Sequence, residues 1–101
     1  MRHAKVDRDH AALLTVARQL GWSAASTAAV GAGFPDAVLA HRAGALLLVE
    51  FKTGKRGRLT PAQTLFWASW RGPIAMVRSE QELITLLTSP PPPGTPDTHP
   101  R

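Results

Sequence analysis

The chain has 101 residues, 44% of them hydrophobic, with a formal net charge of +5 and a sequence pI of about 11.2. That length suits one small domain, the absence of cysteine excludes a disulfide framework and a thiolate zinc site, and there is neither an apolar run long enough to span a membrane nor a secretory leader pattern. The expectation is an intracellular, cytoplasmic protein whose basic surface favours a polyanion, nucleic acid being the commonest.

Val6, His10, Leu13, Ala17 and Leu20 fall at helix-face spacing and predict a first helix over 6–20, with Gly21 as its stop. Residues 22–30, rich in Ala, Ser and Thr, read as a weak strand. Gly31-Ala32-Gly33 is a loop and not a nucleotide-binding fingerprint, since no helix follows it. The runs 37–40 and 45–49 are two strands of a hairpin turning at Arg42-Ala43-Gly44. Thr60-Pro61-Ala62-Gln63 opens a second helix, with Thr60 as N-cap, Pro61 at the first helical position and Gln63 closing a capping box.

Phe66, Trp67 and Trp70 give that helix an aromatic face, expected to meet the sheet as core rather than to serve as a base-stacking platform. Arg71-Gly72-Pro73 ends it, and 74–77 is a short buried strand. Ser79 and Glu82 frame another capping box before a last helix with Leu83, Ile84 and Leu87 on its apolar side. Six of the nine prolines fall in 89–101, which has no apolar content to bury and reads as a disordered tail. The fold class is therefore α/β, a mixed sheet with helices over 1–88, in the order helix, three strands, helix, strand, helix.

Chemistry concentrates at the open end of the hairpin. Opposite residues of an antiparallel pair have numbers of constant sum, and Asp36 and Glu50 are symmetric about Ala43. The two carboxylates then share one sheet face with Lys52, two residues beyond Glu50. Mg²⁺ prefers oxygen ligands and binds through one or two carboxylates. Asp36 and Glu50 supply such a pair, with the Phe51 carbonyl as a third oxygen. Lys52 is placed to hold an attacking water or to offset charge on a phosphoryl group. The plainer alternative is a cross-strand ion pair, which must still explain two facing acids that repel without a cation.

Lys55, Arg56 and Arg58 follow directly and read as contacts to a phosphate backbone, with a solvated loop as the alternative. Asp7 and His10 are helical neighbours and form a possible addition to the site. Helix-end electrostatics explain Asp7 as well, and a core histidine bonded to backbone is the favoured reading of His10. Gln63 has two readings, a local cap or an amide reaching the site.

Gly33-Phe34-Pro35-Asp36, then Glu50-Phe51-Lys52, then Leu59-Thr60-Pro61-Ala62-Gln63 resembles the VRR-NUC branch of the PD-(D/E)XK nucleases. The likeness is greatest to its small stand-alone phage and prophage members and covers about residues 6–87. It implies a restriction-endonuclease-like αβββαβ core with a C-terminal helix, and Mg²⁺- or Mn²⁺-dependent endonucleolytic cleavage of DNA, possibly structure-specific. It further implies metal ligation by Asp36, Glu50 and the Phe51 carbonyl, a catalytic Lys52, a site role for Gln63, and pairing into a homodimer. Asp7 and His10 stand where that family often carries Glu and Gln. The alternative is a nucleic-acid-binding module on the same fold, without useful turnover.

Overall fold

Uninterrupted helix formers from the start of the chain, including Ala4, Ala11, Ala12 and Ala17, carry the first helix, α1, over Arg2–Gln19 in the computed structural model. The structure describes residues 2–41, 43–52 and 57–89, with side chains described from Asp9 onward. The side chain of Asp7, the residues Arg42, Lys55 and Arg56, and the tail from residue 90 lie outside it. Helix α1 begins four residues before the expected start because nothing in 2–5 breaks a helix. It closes at Gly21, whose φ of 94° is the left-handed conformation typical of a helix stop. Arg18 in its last turn donates from Nη2 to the Ala24 carbonyl at 2.8 Å, tying the helix to the first strand.

The strands are β1 (Trp22–Ser26), β2 (Ala37–His41), β3 (Leu46–Phe51) and β4 (Ile74–Val77). They lie in one sheet in the order β1-β2-β3-β4, antiparallel except for the parallel pair β3 and β4. Strand β1 is shorter than the expected 22–30. Thr27 leaves it, committing its N–H to the Asp36 carbonyl at 2.8 Å and its hydroxyl to the Pro35 carbonyl at 2.7 Å, and Ala28–Val30 coils into a 3-10 turn.

The hairpin has the expected register. Ala37 pairs with Val49 and Val38 with Leu48, and the turn is closed by His41 N–H to the Ala45 carbonyl and Gly44 N–H to the His41 carbonyl, both at 2.8 Å. The parallel partner β4 requires a crossover, which helix α2 (Pro61–Ser69) supplies. Helix α3 (Glu80–Thr88) follows β4. Ser79 caps α3 by accepting from Glu82 N–H at 3.1 Å, but Glu82 Oε1 accepts from Arg78 N–H at 2.6 Å. The expected capping box is therefore half formed, because the glutamate reaches one residue past the cap.

Alternation gives the sheet two unlike faces. Ala37, Leu39, Val49, Phe51 and Val77 point to one side and pack with Leu14 and Ala17 of α1 and Leu83 and Leu87 of α3. Val38, Leu48 and Glu50 point to the other, toward α2. The expectation that the α2 aromatics are core is corrected here. Helix α2 holds no buried residue, Phe66 and Trp67 are half-buried, and Trp70 is exposed. An amphipathic stripe is buried only where another layer closes over it, and α1 and α3 both lie on the opposite face. Among the described residues, no helix is long and apolar enough to cross a membrane.

Truncating Leu83, which is fully buried, is expected to lower unfolding free energy by about 2–5 kcal/mol. Leu65→Ala, at a residue 72% exposed, should change it by less than about 0.5 kcal/mol. Urea unfolding of the two variants checks the assignment of core to the α1–α3 face.

Candidate metal and phosphate site

The site is built on the last residues of β3. Glu50 is only 1% exposed, on an interior strand between β2 and β4 and on the face opposite Val49 and Phe51. Its Oε2 accepts a hydrogen bond from Gln63 Nε2 at 2.9 Å and lies 3.9 Å from Lys52 Nζ. Its Oε1 is buried and, among the described residues, accepts no hydrogen bond. A buried carboxylate with an orphaned oxygen is costly unless a proton or a cation meets it. Burial above all, then the neighbouring Asp36 carboxylate, push the Glu50 pKa from 4.5 up to about 8, with Lys52 offsetting part of the rise.

Asp36 sits one residue before β2, where the hairpin register continues to place it across from Glu50. Its Oδ2 accepts from Phe51 N–H at 2.8 Å, which leaves Oδ1 for other partners. The two bonds from Thr27 hold the Pro35–Asp36 turn that presents this carboxylate. Thr27 was not legible as a positioning residue, since its partners are eight and nine positions away and no local motif links them.

Gln63 resolves its two readings by serving both. Its Oε1 accepts from Thr60 N–H at 2.8 Å while Thr60 Oγ1 accepts from Gln63 N–H at 3.2 Å, completing the capping box. Its Nε2 remains free for Glu50. The close seat of α2 depends on Gly33, in the loop before Asp36. Gly33 has a φ of 84°, and a Cβ there would lie 2.6 Å from the Ala62 carbonyl carbon and still nearer its oxygen. Any side chain at that position would push α2, and Gln63 with it, away from the acids.

These residues line a cleft of about 300 Å³ bounded by His10, Asp36, Glu50, Phe51, Lys52, Gly57, Arg58 and Gln63. Arg58 is exposed at its rim, whereas Lys55 and Arg56 fall outside the described residues. His10 is half-buried and tilts against Phe51, with ring centroids 5.2 Å apart. Among the described residues its ring makes no hydrogen bond, so the backbone-bonded core histidine expected at this position is replaced by a ring on the cleft wall. Asp7 lies in α1, but its side chain is outside the described residues.

No cluster of three or more His, Asp or Glu side chains arranged to hold a metal occurs among the described residues. The donor set on offer is two carboxylates and a main-chain carbonyl, the oxygen-rich, water-retaining kind that Mg²⁺ accepts. The orphaned Glu50 Oε1 fits a hard cation.

The raised Glu50 pKa has a defined consequence for the metal-free protein. Between about pH 4.5 and 8 the folded state keeps a proton that the unfolded state has lost, so stability falls as pH rises through that window. Thermal melts in EDTA at pH 5, 6.5 and 8 should show this fall in the wild type and a shallower slope in Glu50→Gln. Equal slopes in the two proteins would contradict a buried, protonated Glu50.

No protein-family model, curated protein or solved structure matches the chain, so its function is read from this constellation of residues.

Proposed function

We propose that the protein is a divalent-metal-dependent DNA endonuclease of the VRR-NUC type, acting inside the cell and of the small phage-encoded kind. The observation that carries this reading is the buried Glu50 carboxylate, with one oxygen unpartnered among the described residues, beside Asp36 and Lys52 in an open cleft. Asp36 Oδ1, Glu50 Oε1 and the Phe51 carbonyl would hold Mg²⁺ or Mn²⁺. Such a cation, when bound, lowers the pKa of water and polarises a phosphoryl oxygen.

The chain's own groups then have separable tasks. Lys52 places a positive charge beside Glu50, where it orients an attacking water and offsets charge growing on the phosphoryl group. Gln63 holds the Glu50 carboxylate in one rotamer through Oε2, leaving Oε1 for the cation. Arg58, with Lys55 and Arg56 of the same basic run, neutralises backbone phosphates on either side of the scissile bond. A domain this small offers limited contact area to a duplex, and pairing into a homodimer would enlarge it.

A second reading is favoured by one observation. Only two acidic side chains converge, and among the described residues no third joins them. A nucleic-acid-binding module without useful turnover would need no more.

Nicking of supercoiled plasmid and of a panel of branched DNAs with Mg²⁺ or Mn²⁺ separates the two. Lys52→Ala is expected to reduce cleavage by about 100-fold or more while DNA binding persists. Cleavage by Lys52→Ala at the wild-type rate overturns the nuclease mechanism, and DNA binding without metal-dependent cleavage favours the binding module. Gln63→Glu keeps an acceptor for Thr60 N–H but sets an oxygen against Glu50. The α2 cap should survive, read as unchanged helical circular dichroism, while cleavage falls by about tenfold or more. Full activity in Gln63→Glu would confine Gln63 to capping.

A further inference from the structure

The end of α2 carries an aromatic pair, half-buried at Phe66 and partly exposed at Trp70. Phe66 and Trp70 are stacked, with centroids 5.3 Å apart and ring planes 19° from parallel. Trp70 Nε1–H donates to the Pro73 carbonyl at 3.4 Å. Gly72 lies against the indole: a Cβ there would fall 2.9 Å from Nε1 and 3.1 Å from Cε2 and Cζ2. The indole is therefore set by Phe66 on one face, by Pro73 at its N–H and by the bare backbone of Gly72. It is nonetheless 38% exposed. A surface tryptophan held in one orientation by three neighbours has already lost the rotamer freedom that binding would otherwise take from it.

This ring is continuous with the candidate site. Phe66 meets Phe34 edge-on at 5.2 Å, and Phe34 belongs to the loop that ends in Asp36. Gln63 and Phe66 lie one turn apart on α2, and Trp70, the residue that caps its end, continues the row by stacking on Phe66. At 1.5 Å per residue, Trp70 stands roughly 10 Å along the axis from Gln63 at the cleft. Arg71, the next residue in the chain, is exposed.

We propose that Trp70 is a stacking platform for an unpaired nucleobase, and thus that the DNA recognised here carries a single-stranded segment next to the phosphate in the cleft. The proposal rests on the nuclease reading and names its substrate class. Bases inside a duplex are already stacked on one another and present only their edges. A partly exposed aromatic ring at the surface pairs instead with a base that has no stacking partner. Base–aromatic stacking tolerates every base, which agrees with a site whose other polar groups address phosphate alone. The neighbouring arginine and the chain's net charge of +5 suit the strand's phosphates.

The test compares binding of a dT oligonucleotide with binding of a blunt duplex of equal length, by fluorescence anisotropy in EDTA so that cleavage plays no part. Trp70→Ala should lower the ratio of single-strand to duplex affinity by about 5- to 100-fold, the range of one base–aromatic stack. Trp70→Phe should retain most of the ratio. Gly72→Ala, whose methyl displaces the indole, should fall with Trp70→Ala. An unchanged ratio in Trp70→Ala, or equal loss on both DNAs, overturns the platform. So does conversion of a dimer to a monomer by Trp70→Ala in light scattering, which would make the ring a contact between copies of this chain. If the ratio is unchanged but cleavage still depends on Lys52, the stacking platform alone fails. No DNA binding by the wild type fails it together with the nuclease reading.

Discussion

The arrangement depends on a carboxylate held almost entirely out of bulk water, at the wall of a cleft. Glu50 occupies an interior strand of the sheet and is almost fully buried, and among the described residues one of its oxygens has no hydrogen-bond partner. Transfer of an unpaired charge into such surroundings is unfavourable by several kcal/mol, so the group either keeps its proton or acquires a cation. Lys52 at 3.9 Å and the Gln63 amide address the same oxygen, Oε2. The imbalance at Oε1 is local, and it stands out in a chain that is itself basic.

Holding that carboxylate engages segments far apart in sequence. Phe51 N–H fixes Asp36, Thr27 fixes the turn that presents it, and Gly33 lets α2 approach so that Gln63 can reach Glu50. Gln63 couples local and long-range order in one side chain. Its oxygen starts the helix and its nitrogen orients the acid, so the first turn of α2 and the site form together. A capping box worth about 1 kcal/mol to a helix thereby also sets the rotamer of a candidate ligand.

The two faces of the sheet divide the work. One is closed by α1 and α3 over a continuous apolar core and supplies most of the burial. The other keeps the acids, the lysine and the aromatic stripe of α2 under thinner cover. Two of the three helices close one face of the sheet, and the face under thinner cover is the one that carries the acids and the lysine.

Much of this was legible in the amino-acid order because it is local or periodic. The hairpin register follows from strand alternation about a Gly-containing turn, and it places Asp36 across from Glu50. The α2 start follows from Thr60, Pro61 and Gln63 within four residues. What the order left open were matters of partnership. The same stripe of Phe66, Trp67 and Trp70 serves as core or as surface, according to whether another layer covers it. His10 suits a core or a cleft wall, and its contact with Phe51 arises only once α1 packs on β3. The reach of Gln63 to Glu50 and the bonds of Thr27 join residues eight to thirteen positions apart through the folded sheet. Short-range sterics, capping and alternation thus set the elements and the register from the chain alone. The burial of Glu50, its raised pKa and the exposure of Trp70 were decided by the packing of distant segments, because desolvation depends on everything that surrounds a group in space.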